Sequence, residues 1–123
     1  MKLHKKLHIW GKVIGLIKDV YGLVSKFPRE EVFGLTSQMK RAGVSIASNI
    51  AEGCARSGSQ EKIRFFTISR GSVSELDAQM EIALSLGYIV PKEYSAIDEK
   101  IQEISRMLQG LINSVKDKQL TNR

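Results

Sequence analysis

Apolar residues recur at alternating steps of three and four along most of this chain, and this spacing constrains the fold more than any other feature. The spacing places apolar side chains on one side of an α-helix, as in helices that pack into bundles. The chain has only two prolines, Pro28 and Pro91, which favours long helices because proline breaks helix interiors. No strand-like alternation and no internal repeat are visible, so the sequence predicts an all-α fold.

Turn and cap residues divide the chain into four helices. Phe27-Pro28 ends the first helix, because the residue before a proline avoids the α conformation. Gly87 is typical of a helix C-cap, and Pro91 is typical of a first helical position. The predicted helices cover about residues 4–25, 36–55, 60–86 and 91–116, with a frayed tail at 117–123. A chain of 123 residues suits one core, so we predict a single antiparallel up-down-up-down four-helix bundle.

The first helix carries two apolar stripes that lie roughly 110° apart on a helical wheel. The first stripe consists of Leu3, Leu7, Trp10, Ile14, Ile17, Tyr21 and Val24. The second stripe consists of Ile9, Val13, Leu16, Val20 and Leu23. A helix in a monomeric bundle needs only one apolar face. We therefore expect the second stripe to be buried against another subunit, with an unusually buried helix in a monomer as the alternative.

Several classes of function are disfavoured by the residues that the chain lacks. A single cysteine, Cys54, rules out an intrachain disulfide, and no signal-peptide pattern or membrane-length apolar run occurs, so a cytoplasmic protein outside the membrane is expected. His4 and His8 have metal-ligand spacing but no third ligand. No phosphate-binding loop, nucleophile elbow or Glu-x-x-His pair is present. We predict a protein that is not an enzyme and holds no metal or cofactor.

Positive charge is concentrated at the N-terminal end. The net charge is +6; residues 1–28 hold six lysines and one acid, whereas residues 65–99 hold two basic and six acidic residues. Such an asymmetry can mark a surface that binds a polyanion, although lysines that merely solvate an exposed helix are the alternative. The predicted nucleic-acid-binding residues are Lys2, Lys5, Lys6 and Lys12, with Arg56 and Lys62 as candidate additions. No base-reading element is evident, so phosphate-directed, sequence-tolerant binding is expected.

Polar residues beside the inner stripe of the second helix predict an interhelical clasp. An antiparallel turn centred on Gly58 would place Glu52 opposite Arg64 and Arg41 opposite Glu75. Both pairs are oppositely charged, so they would fix the register of the second and third helices. The predicted structural polar clasp consists of Arg41, Asn49, Glu52, Arg64 and Glu75. A buried site for a polar ligand is the alternative.

Six short motifs carry a resemblance to a known family. They are Phe27-Pro28-Arg29-Glu30-Glu31, the run from Leu35 to Ala42, Ser45-Ile46, Asn49-Ile50-Ala51-Glu52-Gly53, the run from Gly71 to Leu76, and Leu86-Gly87-Tyr88-Ile89. With these motifs the chain resembles the four-helix-bundle family named after proteins encoded in intervening sequences of bacterial 23S ribosomal RNA genes. Relatives of that family include the accessory variability protein of diversity-generating retroelements.

The resemblance implies a ring-like homopentamer with a basic surface. It implies RNA or DNA binding for the retroelement relatives, in which the protein assists a reverse transcriptase. The expected partners are therefore further copies of the chain, RNA or DNA, and a reverse transcriptase. The alternative is an oligomeric scaffold, or a bundle that binds a partner protein, with no direct nucleic-acid role.

Overall fold

The computed structural model describes residues 3–121, except for the side chains of residues 5, 6, 120 and 121. Four α-helices make up most of this range: α1 (His8–Val24), α2 (Leu35–Cys54), α3 (Ser59–Ser85) and α4 (Pro91–Thr121). Short 3₁₀ turns at Leu3–Lys6 and Arg29–Glu31 precede α1 and α2. The predicted helices agree with the observed ones to within a few residues. Of the tail predicted to fray, residues 117–121 continue α4, since no glycine or proline follows Gly110 up to Thr121, and residues 122–123 lie outside the described residues.

Contacts between neighbouring helices show the antiparallel arrangement. Helix α1 packs against α2 and α4, and α3 also packs against α2 and α4. Along the boundary between α1 and α4, Lys12 meets Glu103 and Lys26 meets Glu93, so one helix ascends as the other descends. The predicted all-α four-helix bundle is confirmed. Its core collects aliphatic side chains from all four helices, among them Leu16, Ile46, Leu76 and Leu108.

The inner face of α1 differs from the predicted one. The second stripe, Ile9 to Leu23, is buried in the core of this single chain. Residues of the first stripe are half-buried at Trp10 and Ile14 and exposed at Tyr21. The expectation that the second stripe is buried against another subunit is therefore wrong. Trp10 and Tyr21 favour the rim of the bundle because the indole N–H and the phenol need polar partners.

Serine hydroxyls make polar contacts between the middle parts of α2 and α3, and an asparagine of α2 holds one of these serines. Ser69 Oγ donates to the Ile46 carbonyl at 2.8 Å, and Ser45 Oγ lies 2.8 Å from Ser72 Oγ. Asn49 Nδ2 donates to the carbonyl and the hydroxyl of Ser45 at 2.9 and 3.1 Å. The pairs Ser45–Ser72 and Ile46–Ser69 lie close to the pairing that an antiparallel turn centred on Gly58 produces. The predicted register of these two helices is correct to about one residue.

The charged members of the predicted clasp do not form the predicted pairs. Glu52 pairs with Arg56 at 2.9 Å, and Arg64 pairs with Glu61 at 3.3 Å, each within or next to its own helix. Arg41 and Glu75 are exposed and form no ion pair among the side chains that the structure describes. These long side chains lie on the outer surface, where a partner three or four residues away is reached at a smaller entropy cost.

Glu31 ties together the end of the bundle that holds the α1–α2 and α3–α4 connections. Its carboxylate accepts the Leu35 N–H at 3.1 Å, at the first turn of α2, and the Tyr88 hydroxyl at 2.8 Å. Tyr88 in turn packs against Phe27, with ring centroids 5.2 Å apart. The Leu35 hydrogen bond and then the Tyr88 hydrogen bond lower the pKa of Glu31.

Stability should therefore fall in acid through Glu31. Because its folded-state pKa is depressed, the stabilisation is complete above the ordinary carboxyl pKa of 4.5 and is lost as the pH drops through the folded value. Glu31→Gln should flatten the dependence of Tm on pH between about pH 6 and pH 3. The matched control is Glu30→Gln, at an exposed neighbour, which should keep the wild-type profile. Equal profiles for the two variants would contradict this role, and circular dichroism melts at each pH measure it.

Candidate nucleic-acid interface

One end of the bundle brings together the start of α1, the end of α2, the start of α3 and the end of α4. The 3₁₀ turn Leu3–Lys6 packs against α2. A groove at this end is lined by Leu3 and Leu7 together with Lys62 of α3 and Lys118 of α4. We call this region, residues 3–12, 52–64 and 112–121, the basic end. Antiparallel topology creates it, because it brings three segments that are far apart in the sequence to one end of the bundle.

The basic end contains most of the predicted nucleic-acid-binding residues. Residues 1–12 hold four lysines and no acid, and residues 112–121 add two lysines against one acid. Lys2 lies outside the described residues, and so do the side chains of Lys5 and Lys6. The backbone of Lys5 and Lys6 forms the 3₁₀ turn, so the fold delivers both residues to this end.

Lys12 already has a partner. Its Nζ lies 2.9 Å from Glu103 Oε1 on α4, and both side chains remain about half exposed. The hydrogen bond from Lys12 is the main reason that the pKa of Glu103 is lowered. An exposed pair of this kind contributes only about 0–1 kcal/mol. A phosphate could therefore replace the carboxylate at a small energetic cost.

Arg56 and Arg64 both lie against the ring of Phe65. The guanidinium carbons are 4.9 and 5.1 Å from the ring centroid, within the range of a cation–π interaction. Their carboxylate partners, Glu52 and Glu61, are exposed. Arg64 was predicted to belong to the polar clasp, but the structure places it beside Arg56 at the basic end.

Lys62 has a structural role at the same place. Its Nζ donates to the carbonyl oxygens of Gly53 and Cys54 at 3.4 and 3.3 Å. These carbonyls belong to the last turn of α2, where a cation also offsets the negative end of the helix dipole. Burial raises the pKa of Cys54, and the charge of Lys62 opposes that shift. Lys62 is thus less available to a ligand than Arg56.

Sequence reasoning missed Lys116 and Lys118. Both lie in the last turns of α4, which the antiparallel topology brings beside the start of α1. The predicted topology contained the information needed to find them, because an even number of antiparallel helices places the two chain termini at the same end of the bundle. Because the tail from residue 117 was predicted to fray, the end of α4 was not included in the candidate surface.

His4, one of the two histidines with metal-ligand spacing, packs against an aromatic ring. His4 contacts Trp10 edge-on, with ring centroids 4.4 Å apart. Within the described part of the chain, no group of three or more His, Cys, Asp or Glu side chains could hold a metal ion. None of the helices in residues 3–121 is long and apolar enough to cross a membrane.

Comparison with known proteins supports the family resemblance that the sequence motifs indicate. The profile of the 23S rRNA-intervening sequence protein family matches residues 5–110, which is most of the chain. The chain belongs to this family. A search of curated proteins finds no match.

Among the solved structures that share the fold of this chain is one from the same kind of family. It is the 1.70 Å crystal structure of a protein of unknown function from the S23 ribosomal protein family of Bacteroides thetaiotaomicron. The two chains are 21% identical, with a TM-score of 0.76 over 85% of this chain and 97% of the other. The likeness supports the four-helix bundle and carries no statement of activity.

The family motifs occupy positions that hold the bundle together. Gly53, the last residue of Asn-Ile-Ala-Glu-Gly, lies beneath the ring of Phe66, and an added Cβ would come within 2.6 Å of that ring. Ile50 is fully buried. Glu31 caps α2, as described above. Packing and capping therefore explain Gly53, Ile50 and Glu31 of the motifs, and the exposed basic side chains outside the motifs are the candidates for binding.

Proposed function

We propose that this protein is a non-enzymatic, homo-oligomeric binding protein that associates with RNA or DNA through its basic end. The observation that carries the proposal is the convergence of the N-terminal lysine cluster with Arg56, Arg64, Lys116 and Lys118. These cations come from three segments that are far apart in the sequence, and the described parts of those segments lie at the same end of the bundle. The family's name, which refers to 23S rRNA, supports an RNA setting.

The chemistry of the basic end favours contacts with phosphate rather than with bases. Its cations are long, exposed side chains whose acidic partners are also exposed. Phosphate contacts carry no sequence information directly, so binding should be sequence-tolerant and strongly dependent on salt. A reverse transcriptase remains a candidate partner by analogy with the retroelement relatives.

A scaffold without a nucleic-acid role is the second candidate. It is favoured by the engagement of Lys12 with Glu103 and of Arg56 with Glu52, since both pairs reduce the net positive field. Under this alternative, the lysines keep the bundle soluble and the oligomer displays surfaces for a partner protein.

Replacing the N-terminal lysines should separate the two candidates. We expect the variant with Lys2, Lys5, Lys6 and Lys12 changed to glutamine to lose at least about tenfold in affinity for labelled single-stranded RNA and duplex DNA at low salt. Each phosphate contact adds about −0.9 to the slope of log affinity against log salt on duplex DNA, so this slope should also become shallower. Fluorescence anisotropy on two unrelated sequences measures affinity, slope and sequence tolerance together.

A matched control lowers the net charge equally without touching the basic end. It changes four lysines toward the opposite end of the bundle to glutamine: Lys18 in the second half of α1, Lys26 just after α1, and Lys92 and Lys100 in the first half of α4. This control should bind nearly as tightly as the wild type. An equal loss in both variants would point to net charge alone, and an unmodified protein that binds neither nucleic acid at low salt would contradict the proposal.

A further inference from the structure

Three planar groups meet at the basic end, where the connection from α2 joins the start of α3. The guanidinium carbons of Arg56 and Arg64 lie 4.9 and 5.1 Å from the centroid of the Phe65 ring. Phe65 is half-buried, whereas the two arginine side chains are 46% and 62% exposed. We call Arg56, Phe65 and Arg64 the planar cluster. Arg56 belongs to the connection and the other two residues to α3, so the turn around Gly58 brings the cluster together.

The carboxylates beside the planar cluster bind the edges of the guanidinium groups. Arg56 Nη2 donates to Glu52 Oε2 at 2.9 Å, and Arg64 Nη1 donates to Glu61 Oε2 at 3.3 Å. The N–H groups of a guanidinium point outward in its own plane, so these hydrogen bonds do not use its flat faces. The carboxylates also offset the arginine charges, so the cluster attracts a phosphate less than unpaired cations would. What the cluster offers beyond charge is flat surface for stacking.

An unpaired nucleobase is the ligand that fits such a surface. Bases of single strands stack on aromatic rings and on arginine guanidinium planes, whereas the faces of bases inside a duplex are already stacked on one another. Cations for the flanking phosphates lie at the same end of the bundle. Lys118 lines the groove there, and the 3₁₀ turn Leu3–Lys6 brings two further lysines to this end. The basic end thus combines the two components of a single-strand binding surface, positive charge and stacking planes.

We propose that the planar cluster stacks unpaired bases, so that the basic end binds single-stranded RNA or DNA through bases as well as phosphates. The inference rests on the proposed function and names the substrate class of the same site. Every base has a flat face, so stacking keeps the binding tolerant of sequence. Stacking also gives the site a reason to prefer a single strand, which charge alone does not supply.

Two probes of equal charge separate base stacking from phosphate contact. The first is a fluorescent oligothymidylate, and the second is an abasic strand with the same number of phosphates and the same label. At low salt the wild type should bind the oligothymidylate at least about fivefold more tightly, because stacking of one base is worth roughly that factor. Fluorescence anisotropy titrations measure both affinities, and their ratio is the base preference.

Substitutions in the planar cluster should remove the base preference and spare the abasic strand. Phe65→Leu keeps an apolar side chain and Arg56→Lys keeps the charge, so each should lower the preference to about twofold or less without weakening abasic binding. Phe65→Tyr keeps the ring and should retain the preference. Phe33→Leu is the matched control, because Phe33 is 97% exposed and lies in the connection before α2, at the opposite end of the bundle.

The other outcomes contradict different statements. Equal binding of both strands by the wild type would mean that only phosphates are contacted, which would overturn the stacking inference and leave the proposed function intact. A base preference that survives both Phe65→Leu and Arg56→Lys, or that disappears in Phe33→Leu, would overturn the assignment to the planar cluster. A wild type that binds neither strand at low salt would contradict the proposed function itself.

Circular dichroism melts verify that each variant folds. Arg56 is exposed, so Arg56→Lys tests the cluster even if Phe65→Leu lowers the stability through its half-buried position. The salt dependence of oligothymidylate binding supplies a second readout for Arg56→Lys. Its slope should equal that of the wild type, because the number of neutralised phosphates is unchanged when a base contact is lost. A shallower slope would show that Arg56 contacts a phosphate instead of a base, and it would overturn the stacking role of Arg56.

Discussion

Leu16→Ala should lower the free energy of unfolding by about 2–5 kcal/mol, whereas Ile14→Ala, two residues away on α1, should cost only about 1 kcal/mol. Leu16 is fully buried in the core, and its truncation leaves a cavity among side chains from the other helices. Ile14 is half-buried and lies outside the core cluster. Because Leu16 and Ile14 are aliphatic side chains of similar size, the two variants compare the two apolar stripes of α1 directly.

Urea unfolding at equilibrium measures this difference. Both variants should keep the m-value of the wild type, because m follows the surface exposed on unfolding. A larger loss for Ile14→Ala than for Leu16→Ala would restore the first stripe as the inner face of α1. Losses of similar size would indicate that both stripes are buried, as expected if a second copy of the chain covers the first one.

Helix number and helix ends were predictable because local chemistry decides them. Pro28, Gly87 and Pro91 act on the backbone within one turn, so their effects do not depend on the rest of the fold. Glu93 illustrates the same locality: its carboxylate accepts the Val90 N–H at 3.0 Å and caps α4 although Val90 itself offers no side-chain cap. The antiparallel register of α2 and α3 was also predictable, because a short turn at Gly58 fixes it.

The inner face of α1 was not predictable from periodicity, because both stripes have helical spacing. What separates them is side-chain chemistry: the buried stripe is purely aliphatic, and the other contains Trp10 and Tyr21, whose polar atoms favour the rim. Periodicity shows that a residue can be buried on a given helix face. It does not show which of two such faces is turned toward the core.

The candidate interface was only partly predictable for a related reason. The lysine cluster of residues 1–12 is local, so the sequence reveals it directly. Its association with Arg64 and Lys118 depends on how three distant segments meet. Ion pairs are similarly hard to predict, since Glu52 could reach Arg56 or Arg64 and only the side-chain directions decide between them.

Gly53→Ala should destabilise the protein by about 1–3 kcal/mol, although alanine is the better helix former by about 1 kcal/mol. The reason is steric. A Cβ at Gly53 would lie 2.6 Å from Phe66 Cε1 and 2.8 Å from Cδ1, and the Phe66 ring is itself buried. The ring or the α2 backbone must shift, which disturbs the contact between α2 and α3.

Gly71→Ala is the matched control, because an added Cβ there meets nothing within 4 Å on the exposed side of α3. This variant should gain about 1 kcal/mol of stability from helix propensity alone, so the two glycine variants should differ in sign. Phe66→Leu should then reverse the effect of Gly53→Ala, since the smaller side chain leaves room for the new methyl group, and a double-mutant cycle measures that coupling. If Gly53→Ala is as stabilising as Gly71→Ala, the close approach of Phe66 does not explain the glycine of the Asn-Ile-Ala-Glu-Gly motif, and a role for that position in binding a partner would need to be considered instead.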